Sequence, residues 1–343
     1  MADIEAGQNE AAGALFYHGG ALDAARRAFA RAPEPWIDLS TGICPVAYPV
    51  GDIPVESWTR LPDASDLAAL EAEAARAYGV PDPACVVAAA GSQTLLQVLP
   101  RLFPGRRVAI LGFTYAEHAL CWARSGAEVR VVEAPDELAA ADVGVVVNPN
   151  NPDGRLVAPE ELAALARRMA GQGGVLVVDE AFMDVLPADR AVASRVGDGA
   201  GLLVLRSFGK TYGLAGLRLG FALGDRRVTA ALRETLGPWS VSGPALAVGR
   251  RALADAAWLA GLKRRLVDDS ARLQELMEGL GLRAVGGTPL FRLGEHAQAR
   301  AIFDRLGRRG VLVRAFAERP GWLRFGLPGG AQWDLLGERL RGL

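Results

Sequence analysis

The chain has 343 residues, half of them hydrophobic, and a formal net charge of −1. That length suggests about two domains of roughly 150 residues, and the balanced charge argues against a polyanion-binding surface, so no nucleic-acid partner is expected. Cys44, Cys85 and Cys121 are widely spaced without metal-ligand spacing, and no apolar run approaches bilayer length; neither a metal site nor a membrane span is expected, and a reducing, cytoplasmic setting fits best.

The opening MADIEAGQNE is polar and acidic, unlike a secretory signal. Residues 1–50 contain Pro and Gly and few periodic runs, and read as an arm that packs on another part of the molecule. A helix follows over SDLAALEAEAARAYG (65–79), stopped by its glycine. Short apolar strands are expected at 85–91, 107–113, 143–148, 174–180, 202–208 and 219–223, with TLLQVLPRLF, EHALCWARSG and PEELAALARRMAGQ as amphipathic helices between them. Such alternation predicts a parallel sheet covered on both faces. The last two strands are too close in sequence for a crossover helix, so that pair is expected to be antiparallel. Beyond residue 240, SGPALAVGRRALADAAWLAGLKRRLVDDSARLQELMEGLG reads as a long helix with room for one break. Strands in PLFRLG, GVLVRAF and GWLRFGLP then suggest a smaller α+β unit. The expected division is an arm over 1–50, a large domain over 51–265 and a small domain over 266–343.

Four stretches carry candidate chemistry. AAAGSQTLLQ (88–97) runs from strand into helix at Gly91, Ser92 and Gln93, where free N–H groups can take an anion and glycine permits close approach. NPNNPDGRLV (148–157) is a corner of strong turn formers directly behind VGVVV. At the carboxyl end of a parallel strand, such a loop can aim the amide of Asn151 at a ligand. GVLVVDEAFMD (174–184) ends a buried strand with Asp179, a carboxylate that needs a cap, an ion pair or a cationic ligand group. LRSFGKTYGLAGLRLGF (205–221) places Lys210 between Phe208 and Tyr212, with Ser207 before it and Arg218 after. A desolvated Lys makes a good Schiff-base nucleophile, and Ser207 with Arg218 suits a phosphate. Tyr115, in FTYAEH, can stack on a ring. The set suits pyridoxal 5′-phosphate: the turn, Ser207 and Arg218 its phosphate, Tyr115 its ring, Asn151 its O3′, Asp179 its pyridine nitrogen and Lys210 its carbonyl.

With HGG (18–20), IDLSTGICP (37–45), FTYAEHAL (113–120) and PWSVSGPA (238–245), this constellation resembles the fold-type I pyridoxal-phosphate enzymes of the class I/II aminotransferase superfamily. The resemblance runs from Tyr17 to the C-terminus. Within the superfamily, the HGG and PWSV stretches look like the threonine-phosphate decarboxylases of cobalamin biosynthesis, which are similar to histidinol-phosphate aminotransferases. The resemblance implies an α/β fold: a large domain with a mostly parallel seven-stranded sheet and one antiparallel strand, plus a smaller α+β C-terminal domain. It implies a homodimer with active sites at the interface, the arm lying on the small domain and the partner. Carried over, Lys210 is the covalent lysine, Asp179 the pyridinium partner, Asn151 the O3′ donor, and Ser207 and Arg218 phosphate ligands. His18, Arg314 and Arg324 hold the substrate's anionic groups. The implied reaction is decarboxylation of L-threonine O-3-phosphate to (R)-1-amino-2-propanol O-phosphate. The alternatives are a histidinol-phosphate-type aminotransferase and a non-catalytic regulatory protein of the same fold.

Three positions depart from the aminotransferase pattern. Phe182 replaces the tyrosine three residues after the aspartate, a feature shared with the decarboxylase branch. Gly42 and Cys44 stand where the first-segment motif has Asn. Leu61 replaces the tyrosine of an RYPD motif through which the partner subunit reaches the cofactor phosphate.

Overall fold

The structure, a computed structural model, describes residues 18–104 and 106–342; the part of the arm before His18 lies outside the described residues. The strands in chain order are β1 (Ile37–Asp38), β2 (Val86–Ala89), β3 (Arg107–Leu111), β4 (Glu128–Val132), β5 (Val143–Val147), β6 (Val175–Asp179), β7 (Leu202–Ser207), β8 (Gly220–Gly224), β9 (Arg283–Thr288), β10 (Phe291–Glu295), β11 (Val311–Leu312), β12 (Arg314–Ala315) and β13 (Trp322–Gly326). The chain divides into two compact units. One is Ala47–Gly261; the other joins the residues through Val46 to those from Leu262 onward.

The first unit is built on a seven-stranded sheet in the order β2-β8-β7-β6-β5-β3-β4. Neighbours pair in parallel except at β8, which runs antiparallel to β7 and β2. The link from β7 to β8 is too short for a crossover, which forces that reversal. Alternation along each strand splits the core between two faces. Val175, Val177, Leu203 and Leu205 pack with Leu95, Leu99 and Trp122 on one face. Leu176, Val178, Leu202 and Val204 pack with Leu70, Leu162 and Ala245 on the other. The helix Ala64–Tyr78 ends at Gly79 in the left-handed conformation, φ 70°, as a glycine stop should. Its Glu71 accepts the Ala88 N–H of edge strand β2 at 3.0 Å, while Arg233 donates to the carbonyls of Ala84 and Val86. These side chains cover a free sheet edge that would otherwise invite pairing with another chain.

Strand β4 was not expected. It is an outer strand with only Val132 buried, so it has no apolar face to reveal it. The expected long helix is two, Gly243–Ala254 and Ala256–Gly279. Asp255 divides them and caps the second by accepting the Trp258 N–H at 2.9 Å.

The second unit holds a four-stranded antiparallel sheet, β12-β13-β10-β9. Strand β9 was also missed; it carries two glycines and a register shift against β10. Ile37–Asp38 of the arm pairs in parallel with Val311–Leu312, and the Gly326 N–H donates to the Leu39 carbonyl at 2.6 Å. No helix among the described residues is long and apolar enough to cross a membrane.

Candidate active site

In open parallel sheets, ligands bind beyond the carboxyl ends of the strands, and the candidate residues of the first unit emerge there. Gly91 ends the β2 turn at φ 89° and ψ 154°, a region essentially open only to glycine. The helix Ser92–Leu102 starts directly after it. A methyl group at Gly91 would lie 2.7 Å from an Arg218 guanidinium nitrogen, so two sequence-distant phosphate candidates meet at one helix N-terminus. Ser207 is paired with Gly220 across β7 and β8. Gly220 in turn abuts the Ser92 nitrogen so closely that a methyl there would be 2.3 Å away. Glycine is needed at 220 because backbone passes backbone. Arg218 itself is in the left-handed region at φ 55°, a backbone strain that fixed tertiary contacts must hold.

Gln93 is held as a bridge. Its oxygen accepts the Tyr115 hydroxyl at 3.3 Å, and its amide donates to Glu117 at 3.0 Å. Tyr115 precedes the helix Ala116–Arg124 and meets the edge of the His118 ring, 6.3 Å between centroids. His118 was missed in the sequence, where a lone histidine carried no assignment. Its buried Nε2 lies 2.9 Å from Asp179 Oδ2. The other Asp179 oxygen accepts the Ala181 N–H at 3.0 Å. Asp179 is therefore a buried carboxylate fixed from two sides at the end of β6. The spacing Tyr115–His118, one helical turn apart, was the signal available.

The Asn corner is tied to the same strand end. The Asn148 N–H donates to the Asp179 carbonyl at 2.8 Å. The Asn148 side chain closes a two-bond ring with Val157, and Asn150 donates to Phe113 and Asp153. Two of the three asparagines thus build the loop, and Asn151, half-buried, is presented by it. Lys210 lies on the single helical turn Phe208–Thr211, with Nζ 5.5 Å from the centre of the Phe182 ring. Phe208 and Tyr212 stack at 4.3 Å, and Tyr212 stacks on Trp258 at 5.6 Å, which anchors the turn beneath the lysine.

His18, Arg314 and Arg324 belong to the second unit. Arg314 and Arg324 are direct cross-strand partners on β12 and β13. Arg324 is buried, donates to the Ser40 carbonyl at 2.8 Å and lies over the Phe291 ring at 5.1 Å. Burial, then Arg314, lowers its pKa to about 9, opposed by Asp38. The guanidinium still carries its charge near neutrality, in surroundings that favour an added anion. The HGG stretch reaches the same segment: Gly20 N–H donates to Ser40 Oγ at 2.7 Å. Gly42 and Cys44 are buried; the Cys44 thiol contacts the Val46 carbonyl at 3.3 Å, and burial pushes its pKa up to about 11. Leu61 is 65% exposed.

The family described as aminotransferase class I and II matches residues 55–335. A threonine-phosphate decarboxylase from Pseudomonas aeruginosa is 45% identical, covering 96% of this chain and 98% of its own. A second, from a Sinorhizobium species, is 43% identical over 92% and 95%. Among solved structures, a histidinol-phosphate aminotransferase from Sinorhizobium meliloti superposes with a TM-score of 0.79 at 23% identity, over 93% of this chain and 94% of that one. The family match covers the whole of the seven-stranded sheet and of the four-stranded C-terminal sheet, and the chain belongs to the aminotransferase class I and II family.

Proposed function

We propose that this protein is a pyridoxal-phosphate-dependent decarboxylase of L-threonine O-3-phosphate, releasing carbon dioxide and (R)-1-amino-2-propanol O-phosphate, a precursor of the cobalamin side chain. The observation that carries the substrate and reaction is 45% identity to a threonine-phosphate decarboxylase along almost the full length of both chains. The cofactor reading is supported by fit. The Gly91 turn, whose backbone at φ 89° lies close against the Arg218 guanidinium, suits a phosphate at a helix N-terminus. Asp179, a buried carboxylate with a histidine partner, suits a cationic ring nitrogen.

On this reading Ser92, Ser207 and Arg218 would hold the cofactor phosphate, with the first turn of the helix that starts at Ser92 and includes Gln93. Tyr115 flanks the ring, and Asn151 donates to O3′. When bound, pyridoxal phosphate supplies a sink for the electron pair left as the bond from Cα to the carboxylate breaks. Asp179, its two oxygens held by His118 and the Ala181 N–H, would face the ring nitrogen. Lys210 would hold the cofactor at its carbonyl carbon, and its Nζ would carry the proton that replaces the lost carboxylate at Cα. Arg314, Arg324 and His18 would take the substrate's anionic groups.

The dimer and the compartment belong to the same reading. Val55, Trp58 and Leu61 are each more than 60% exposed along one short segment; such apolar exposure marks an interaction surface, here a second copy of the chain. The three cysteines are free and buried, which suits the cytoplasm. The deciding experiment incubates purified protein with threonine phosphate, with and without 2-oxoglutarate. Carbon dioxide release independent of 2-oxoglutarate supports the decarboxylase. Amino transfer to 2-oxoglutarate, with histidinol phosphate preferred as donor, replaces it with the aminotransferase.

A further inference from the structure

Strand alternation puts Asp179 and Ser207 on the sheet face of Val175, Val177, Leu203 and Leu205. The residue beside each, Glu180 just past the end of β6 and Arg206 before Ser207 on β7, turns to the other face. There Glu180 and Arg206 form an ion pair of 2.9 Å, each almost wholly buried. Arg206 also pairs with Asp184, from the turn after β6, and lies over the Tyr78 ring at 4.7 Å. The second Glu180 oxygen accepts the Val192 N–H at 2.7 Å. Burial raises the pKa of Glu180, with Arg206 opposing. A core made of Val, Leu and Phe surrounds this cluster, and a buried ion pair is a poor device for stability alone, since apolar residues of similar volume serve as well or better.

We propose that Glu180, Arg206 and Asp184 are positioning residues that lock the end of β6 to the end of β7, and so set the placement of Asp179 relative to Ser207 and Lys210. The inference rests on the cofactor roles given above to those three residues. Its physical basis is directional. Packing of apolar groups tolerates sliding of one strand end past the other, whereas a buried guanidinium hydrogen-bonded to Asp184 and charge-paired with Glu180 does not. Arg206 directly precedes Ser207, and Glu180 directly follows Asp179. A small slip at the cluster therefore moves both site residues. Outer partners of this kind hold functional groups in register and typically contribute about 10–100-fold to affinity or activity.

Removing Arg206 alone leaves two buried carboxylates without their cation and unfolds or weakens the protein, which decides nothing. The informative variant neutralises all three charges with similar shapes: Glu180→Gln, Asp184→Asn and Arg206→Met. Three quantities are measured on parent and variant: the thermal midpoint of cofactor-free protein, the pyridoxal phosphate Kd, and kcat and KM for threonine phosphate. Positioning predicts a midpoint near that of the parent, a Kd raised about 10–100-fold, and a loss in kcat larger than the change in KM. A stable variant with Kd and kcat within threefold of the parent overturns the proposal. A variant that fails to fold also overturns it, by showing that the charges serve the fold itself. If the parent does not bind pyridoxal phosphate, the cofactor reading fails first, and the inference falls with it.

Discussion

Replacing Gly91 with alanine tests the phosphate turn directly. The glycine has φ 89° and ψ 154°, a conformation that costs a residue with a side chain about 1–3 kcal/mol. That strain is present with or without ligand, so cofactor-free protein should melt roughly 2–10 °C lower. The new methyl also lands 2.7 Å from an Arg218 guanidinium nitrogen, and the flexible side chain must swing away. A lost charged hydrogen bond to phosphate is worth about 1.5–3 kcal/mol, hence a pyridoxal phosphate Kd about 10–100-fold weaker. Arg218 is exposed and donates to the Ala215 carbonyl at 3.2 Å. Arg218→Ala should therefore reproduce most of the affinity loss with little change in melting. The double variant should lose less affinity than the two single losses combined, because both act on one contact. Absorbance titration of cofactor-free protein gives Kd, and calorimetry gives the midpoint. A Gly91→Ala protein that melts lower yet binds pyridoxal phosphate within threefold of the parent refutes the argument, because the turn would then be structural only.

Lys210→Ala should keep the fold and lose turnover, and the absorbance band that borohydride abolishes in the parent should be missing; parent-like carbon dioxide release in that variant removes the central claim. Asp179→Ala should lower kcat/KM by several kcal/mol in transition-state terms, on the order of what losing a preorganised charge costs, and a loss under about tenfold means the ring nitrogen needs no counter-ion. Arg324→Ala should damage both affinity and turnover for threonine phosphate, with product analysis showing more pyridoxamine phosphate per aminopropanol phosphate formed; an unchanged KM places the substrate anion elsewhere. The Cys44 thiol, held up to about 11 by burial, keeps its proton in the folded state while the unfolded thiol loses it above about pH 9, so its contribution is intact below that and is lost as pH rises toward 11. Two units correspond to roughly 2–3 kcal/mol; denaturant curves at pH 8.5 and 11 should show the parent falling by that much more than Cys44→Ala, and parallel losses refute it.

Much of this protein was legible one residue at a time. Strand β6 is a run of apolar residues ending in Asp179, and β7 is another ending in Ser207; local pattern alone marked both as buried strands with polar ends at the ligand side. The turn formers at 148–154 and the glycine at 91 announced loops at those ends, because their backbone chemistry is local. The reversal at β8 also followed from the length of its connection. What local pattern could not supply were outcomes of distance. Strands β4 and β9 are defined by their neighbours' free hydrogen bonds, not by an apolar face of their own. The Arg218 guanidinium over Gly91, His118 against Asp179, and Arg314 opposite Arg324 all join segments that only the closed sheets bring together. The Glu180–Arg206 pair was hidden for a different reason. Adjacent residues on a strand face opposite ways, so the charges beside two site residues could be assigned a side and a partner only once the register of β6 and β7 was known. Sequence determines which groups stand at each strand end; tertiary pairing determines which of them meet, since the energy of a buried charge depends on the partner it finds.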